Sequence, residues 1–505
     1  MKNRPNFVFI CTDQQRWRDL GCYGNSIIKT PNIDRLAKNG VCFQNGFTPA
    51  ASCMPARASM ITGLHPSVHR LNTMIDKREE LPVSIKTLPA ILAKNGYNTA
   101  AFGKLHLSRR EPDRHSSEEI KKPVWTGRTE MAQQSKELNL PYYGYNKLSL
   151  SAKHLEIGDY DHVDEVRKLA PEVLKMTGPK NALEPPVGAY QAWKSAVPKE
   201  WYSTGWIGSK AVEYIENINK EEPFYMHVGF FDPHHPFCPP EPYCNMYPRN
   251  NIHNPIRQKG ELAALPEPCW PWVKEDDREL SGLPDQAKKS DYIFPESHRR
   301  EITALYYGML TFIDDEVGRI VKALEQKGLL NDTIIIYTCD HGEYLGDHWC
   351  LGKGILHYDS LIHVPYIWWN PQWCSSNTRP ETFLDHVDYM PTVLELAGCD
   401  LPENVQGRSY ASVLKDGGGF NKEFIMVEDD RPKKDLRLRT FRSKEYRLTY
   451  FMGRDDIGEF YDLTRDPGEF NNLWHSQYHK EKRNEILIRL LDASASASLA
   501  WPYEY

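Results

Sequence analysis

Two short apolar runs set the terms for any fold of this chain: Phe7-Val8-Phe9-Ile10-Cys11 near its start and Thr333-Ile334-Ile335-Ile336-Tyr337 far along it. Neither run alternates apolar with polar residues. Each therefore reads as a strand buried on both faces, and such strands belong to parallel sheets covered by helices. An aspartate follows each run closely, Asp13 after the first and Asp340 after the second. Ahead of the second run, Ile313, Val317, Ile320, Val321 and Leu324 recur at helical spacing, and Gly328 stands where a helix C-cap belongs. Further helices are expected at 31–40, 84–96 and 209–219, each before a β-rich stretch, and this alternation indicates an α/β fold.

A chain of 505 residues is too long for one simple core. We expect a catalytic domain over residues 1–417 and a small α+β domain over 418–505. The second begins after Gly417-Gly418-Gly419, with strand-like pieces at 423–428, 436–441 and 446–451 and a helical stretch at 481–491. Residues 112–198 combine weak periodicity with many prolines, and they read as an insertion that shapes the substrate pocket. Trp125 and Trp193 within it, with Trp201 and Trp206 just after, are either a platform for sugar rings or packing for the insertion itself.

The formal net charge of -6 is spread without a long basic block, which argues against nucleic acid or a membrane surface as partner. No apolar run reaches the roughly 20 residues that span a bilayer. Met1-Lys2-Asn3-Arg4-Pro5 leads straight into the first apolar run, which is too short for a signal sequence. The eleven cysteines are scattered and odd in number, unlike a disulfide framework. The expectation is a soluble cytoplasmic protein, or a periplasmic or secreted one if a signal has been removed.

Around Cys53 the local signals converge. Pro55 suits the first turn of a helix and Gly63 its far end, so a helix is expected over 55–62. Cys53 then sits at a helix N-terminus, where free N–H groups and the helix dipole favour an anion. Arg57, in the first turn, would have Ser52, Cys53 and an incoming anion within reach of its guanidinium. A lone cysteine is ordinarily a buried packing residue, and an Asp at a strand end is often a turn or cap. Loops at the carboxyl ends of parallel strands, however, gather into one crevice. Asp13, Gln14 and Asp340 with His341 would supply oxygen-rich ligation there, suited to a hard divalent cation.

Cys53-Met54-Pro55-Ala56-Arg57, running on to Thr62-Gly63, closely resembles the signature of the formylglycine-dependent type I sulfatases, a family of the alkaline phosphatase-like superfamily. Gly103-Lys104-Leu105-His106 is similar to that family's Gly-Lys-x-His; if extended, it would turn Lys104 and His106 to the same side. Asp232-Pro233-His234-His235-Pro236 is similar to its Pro-His-x-Pro loop, with His234 the matching histidine and His235 pointing elsewhere or packing on the loop. Lys353, in Leu351-Gly352-Lys353-Gly354, takes the place of its second active-site lysine. Segments at 29–37, 388–392 and 463–469 carry the likeness over nearly the whole chain, while His348 and His357 receive no role.

The resemblance implies a mixed, largely parallel sheet sandwiched by helices, and hydrolysis of a sulfate ester, on a saccharide rather than a simple aryl alcohol. It implies oxidation of Cys53 to formylglycine by a maturation enzyme, the hydrated aldehyde then attacking sulfur to give a sulfated hemiacetal. It places one divalent metal, calcium before magnesium or manganese, on Asp13, Gln14, Cys53, Asp340 and His341. Arg57, Lys104, His106, His234 and Lys353 complete the catalytic set, His106 as the base that collapses the hemiacetal and His234 with Lys353 serving the leaving group. The family has Asp-Asp where this chain has Asp13-Gln14, which keeps an oxygen and removes one negative charge. Two other readings stand beside this one. A phosphonate monoester or phosphodiester hydrolase of the same superfamily would share the Asp-Gln and Asp-His pairs, but the Lys-x-His pair favours a sulfatase. An inactive homologue that binds sulfated glycans is the other.

Overall fold

The computed structural model describes residues 4–71, 80–82, 84–108, 142–151, 153–261, 265–269, 295–431 and 435–499. Both apolar runs are central strands of a seven-stranded sheet, β1 (Asn6–Thr12) and β7 (Thr333–Cys339), paired in parallel from Asn6 opposite Thr333 to Thr12 opposite Cys339. The sheet order is β2 (Val41–Phe43), β8 (Tyr366–Trp369), β7, β1, β6 (Phe224–Gly229), β4 (Asn98–Gly103) and β5 (Lys147–Leu150). All neighbours are parallel except β8, which runs antiparallel to both β7 and β2. A small parallel pair, β3 (Asn45–Phe47) with β9 (Phe383–Asp385), lies apart from it.

Alternate residues of the central strands enter two different cores, which is why their sequences carry no polar face. Val8 and Ile10 join Ile335 and Tyr337 in one apolar cluster with residues of α1 (Pro31–Lys38) and of two longer helices described below. Phe7, Phe9 and Cys11 join Ile334 and Ile336 in the other, against α2 (Cys53–Thr62) and α3 (Leu88–Lys94). The helix expected at 84–96 begins only at Leu88 because the Thr87 hydroxyl caps it, accepting from the Ala90 N–H at 3.4 Å. The stretch expected at 209–219 starts earlier, as α4 (Ser203–Asn217), and the helix feeding β7 is α5 (Glu296–Lys327), 32 residues long, ended by Gly328 at φ 71. Among residues 112–198, β5 forms the sheet edge, and Val166 and Val173 pack with Phe312 of α5. The last part of the chain forms an antiparallel sheet, β10 (Phe424–Arg431), β11 (Leu436–Ser443), β12 (Tyr446–Phe451) and β13 (Gly458–Asp462), covered by α6 (Lys480–Leu499). Three of these four strands follow the sequence pattern. β13 had no signal of its own. The Arg442 guanidinium ties this sheet to the rest through two bonds to Asp359, at 2.7 and 2.6 Å. No helix among the described residues is long and apolar enough to cross a membrane.

Candidate active site

Parallel strands that end on one side of a sheet deliver their following residues to one crevice. Here β1 delivers Asp13 and Gln14, β4 delivers Lys104, β6 leads to His234, and β7 delivers Asp340 and His341. The N-terminus of α2 closes the crevice. The helix begins at Cys53, two residues earlier than Pro55 suggested, and Gly63 ends it at φ 66. All ten of its residues are buried, so Cys53 is fixed by packing on every side.

Three polar atoms converge on the Cys53 sulfur: Lys353 Nζ at 2.9 Å, His341 Nε2 at 3.1 Å and Asp13 Oδ1 at 3.4 Å. Burial pushes the Cys53 thiol up and Asp13 adds to this, yet Lys104, Lys353 and His341 bring it down to about 6. Cys11, equally inaccessible, is pushed by burial up to about 12. The difference between two cysteines at the same depth is the cluster of cations around one of them.

Asp13, Cys53, Asp340 and His341 each present a ligand atom, all within 4.8 Å of one another. Gln14 belongs with them. Its backbone is left-handed, φ 62, its amide nitrogen donates to Glu343, and its Oε1 is buried with no hydrogen-bond partner among the described residues. The Gln14 backbone N–H donates to Asp340 Oδ1 at 3.0 Å, and a buried oxygen left unpartnered costs free energy unless a cation takes it up, so this donor set fits a hard divalent ion. His341 is prepared in the same way. Its Nδ1 donates to the Gly342 carbonyl at 2.9 Å, which turns Nε2 toward the cluster.

Arg57 sits differently from expectation. Its hydrogen bonds go to groups the sequence did not single out as its partners: Nε donates to Asp340 Oδ2 at 2.7 Å, Nη1 to the Lys104 carbonyl at 3.1 Å and Nη2 to the Thr12 carbonyl at 3.2 Å. The guanidinium thus holds Asp340 and two strand ends in place. Lys104 Nζ is paired with Asp13 Oδ2. His106 does not reach its place by strand alternation, because β4 stops at Gly103 (φ 83) and His106 is itself left-handed at φ 56. Its Nδ1 is buried without a hydrogen-bond partner among the described residues, and burial, with Lys104 and Arg57, holds the imidazole well below its ordinary range. His234 Nδ1 bonds the His235 carbonyl at 2.6 Å. His235 stays inside the cluster, its Nδ1 lying 3.4 Å from Gln14 Nε2.

Sequence reasoning passed over His154. Its Nε2 lies 2.7 Å from Asp13 Oδ2 and 2.8 Å from Lys104 Nζ, and burial and Lys104 depress its pKa to about 4 against the pull of Asp13. It comes from the weakly patterned stretch after β5, and its one sequence signal is position just beyond a strand that ends at the crevice. The tryptophans resolve toward packing. Trp206 is buried and stacks on His162 with ring centres 4.6 Å apart, Trp193 donates to Glu156 at 3.1 Å, and Trp201 packs in the same cluster; Trp125 lies outside the described residues. His348 stacks on Tyr358 and His357 bonds Thr440 at 2.7 Å, both away from the crevice.

A doubly covered, largely parallel sheet with a cation-ringed cysteine and an oxygen-rich cluster that could hold a metal ion at its strand ends places the chain among proteins of alkaline phosphatase-like fold. Residues 5–399 match the sulfatase family and residues 346–496 match the C-terminal region of N-sulphoglucosamine sulphohydrolase, and the chain belongs to the sulfatase family. It is a sulfuric ester hydrolase. An arylsulfatase of Clostridium perfringens is 27% identical over 502 residues, 97% of this chain and 95% of that one. A multifunctional alkaline phosphatase superfamily protein of Trinickia caryophylli is 29% identical over 496 residues, 93% and 91% of the two chains. Among solved structures, the phosphonate monoester hydrolase of Agrobacterium radiobacter is 25% identical with a TM-score of 0.79, covering 98% of this chain and 96% of its own.

Proposed function

We propose that this chain hydrolyses a sulfate ester of a saccharide, using a formylglycine made from Cys53 by a separate maturation enzyme and one divalent metal, calcium first. The reading rests on the convergence of Lys353, His341 and Asp13 on the Cys53 sulfur, at 2.9, 3.1 and 3.4 Å. A sulfate ester resists attack because its oxygens repel a nucleophile, so charge must be neutralised where it gathers. Asp13, Gln14, Asp340 and His341, with the modified Cys53, would hold the metal, which lowers the pKa of a bound hydroxyl and draws charge from the sulfuryl oxygens. Formylglycine supplies a hydrated aldehyde, whose second hydroxyl lets sulfate be expelled and the aldehyde restored.

The chain's own residues do the rest. Arg57 keeps Asp340 aimed and Lys104 keeps Asp13 aimed, so both carboxylates stay charged in a dry site. Lys353 places an ammonium where charge develops. The His234 Nδ1 bond to the His235 carbonyl fixes its tautomer and leaves Nε2 to serve the departing alcohol. His106, held neutral, is the base for the release step. The balance is ester plus water to alcohol plus sulfate. The saccharide preference is supported by the match of residues 346–496 to a sulphoglucosamine sulphohydrolase region.

A phosphonate monoester or phosphodiester hydrolase is the second reading, favoured by the likeness to the Agrobacterium radiobacter enzyme and by the Asp13-Gln14 pair. Sulfate and phosphate esters of one leaving group, assayed side by side on matured enzyme, decide between them. A sulfate preference is expected, and a clear phosphodiester or phosphonate preference reverses the assignment.

A further inference from the structure

Three imidazole rings stand in a row along one wall of the site. His154 stacks on His234 with ring centres 3.9 Å apart, and His234 lies against His235 at 4.0 Å. The inner end of the row is anchored, since His154 Nε2 touches both Asp13 and Lys104. Tyr190 continues the outer end, its ring centre 6.2 Å from His235 at an interplanar angle of 55°. Unlike the rings behind it, Tyr190 is 46% exposed.

The backbone holds this tyrosine in place. The Phe237 N–H donates to the Gln191 carbonyl at 2.7 Å, the Trp193 N–H to the Phe237 carbonyl at 3.1 Å, and the Ser195 N–H to the Pro239 carbonyl at 3.2 Å. The segment carrying Tyr190 is thus laced to the loop that carries His234 and His235. Gln191, left-handed at φ 44, returns its side chain to bond the Tyr190 hydroxyl at 2.9 Å. A large ring fixed at its hydroxyl and its backbone loses little freedom when a ligand lies on it. Apolar area kept in water at the rim of a buried polar site is also where a ligand's apolar face gains most.

We propose that Tyr190 is a specificity-determining residue for the leaving group, its ring receiving the flat apolar face of a ring-bearing alcohol while the sulfate lies among Lys104, Lys353 and the metal ligands. This rests on the sulfate-ester reading and assigns the class of alcohol. A pyranose and a phenol share the required chemistry.

The test uses matured, metal-loaded enzyme, with phenyl sulfate and glucosamine 6-sulfate as substrates and ethyl sulfate as a competitive ligand. Tyr190→Ala should raise KM about three- to tenfold for the ring-bearing esters, the range of one aromatic contact. Its kcat should stay within about twofold of the parent, and the inhibition constant of ethyl sulfate should not move. Tyr190→Phe, which keeps the ring and its backbone lacing and loses the bond from Gln191, should lie much nearer the parent than Tyr190→Ala. A rise confined to the sugar sulfate marks a pyranose site, and one confined to phenyl sulfate an aryl site. The proposal is overturned by unchanged KM for both ring esters, by an equal loss for ethyl sulfate, or by Tyr190→Phe failing as badly as Tyr190→Ala. Should the parent enzyme turn over phosphonates and no sulfates, the sulfate reading fails alone; phenyl and ethyl methylphosphonates then decide the role of Tyr190.

Discussion

Two cysteines of equal burial, pushed to opposite ends of the thiol range, show how much of this site is electrostatic. In the unmatured, metal-free protein, ultraviolet absorbance should report the Cys53 thiolate forming near pH 6, the value to which Lys104, Lys353 and His341 bring it against burial and Asp13. The sign follows from the causes: Lys353→Met removes a cation 2.9 Å from the sulfur and should move that titration upward. A titration that stays at pH 6 in the variant, or one that survives Cys53→Ser, counts against this account. Cys53, Asp13 and Asp340 were legible because each sits where local rules speak plainly, at a helix start or just past a buried strand. The partners of Arg57 were not. A guanidinium in the first turn can reach several groups, and only the assembled strand ends show that Asp340 and two carbonyls take it. His154 had still less to mark it, 50 residues beyond Lys104 and outside any recognised motif.

At the scale of elements, the meeting of β4 and β6 fixes Lys104. Gly103 is left-handed at φ 83, and the Lys104 N–H donates to the Gly229 carbonyl at 2.8 Å. A Cβ on Gly229 would stand 2.1 Å from the Lys104 carbonyl, the same oxygen that accepts from Arg57. Gly229→Ala should therefore push Lys104 and Arg57 away together, reducing kcat/KM by at least about a hundredfold, on the scale of losing a key charge-stabilising group. Thermal melting in parallel should show a loss of about 1–3 kcal/mol, typical of overpacking. Near-parent activity would mean that the strand ends yield more freely than their contacts indicate. The same region shows where period-based reading stops. Alternation along 103–106 predicted a shared face for Lys104 and His106, but the strand had already ended, and two left-handed residues set the path instead.

For the whole molecule, the proposed metal ligands join the ends of the first strand and β7 with the helix of Cys53, segments far apart in sequence. An ion bound there stabilises only the folded arrangement. Chelation should lower the melting temperature, and calcium restored at a hundredfold excess over its dissociation constant should return about 2.7 kcal/mol. A melting curve indifferent to every divalent cation would remove the metal from the scheme. The sheet and its helices were readable over this distance because strands buried on both faces leave so few alternatives. Residues 142–198 were not readable in the same way, because their order comes from partners on other elements: β4, Phe312 of α5, and the loop after β6. The backbone lacing between 191–195 and that loop has an evolutionary corollary. Hydrogen bonds between peptide groups hold these two segments together, so their side chains are free to change with little penalty in folding. Descendants of this chain could then exchange one preferred alcohol for another by altering a handful of rim residues, while the machinery for breaking the ester passes on unchanged.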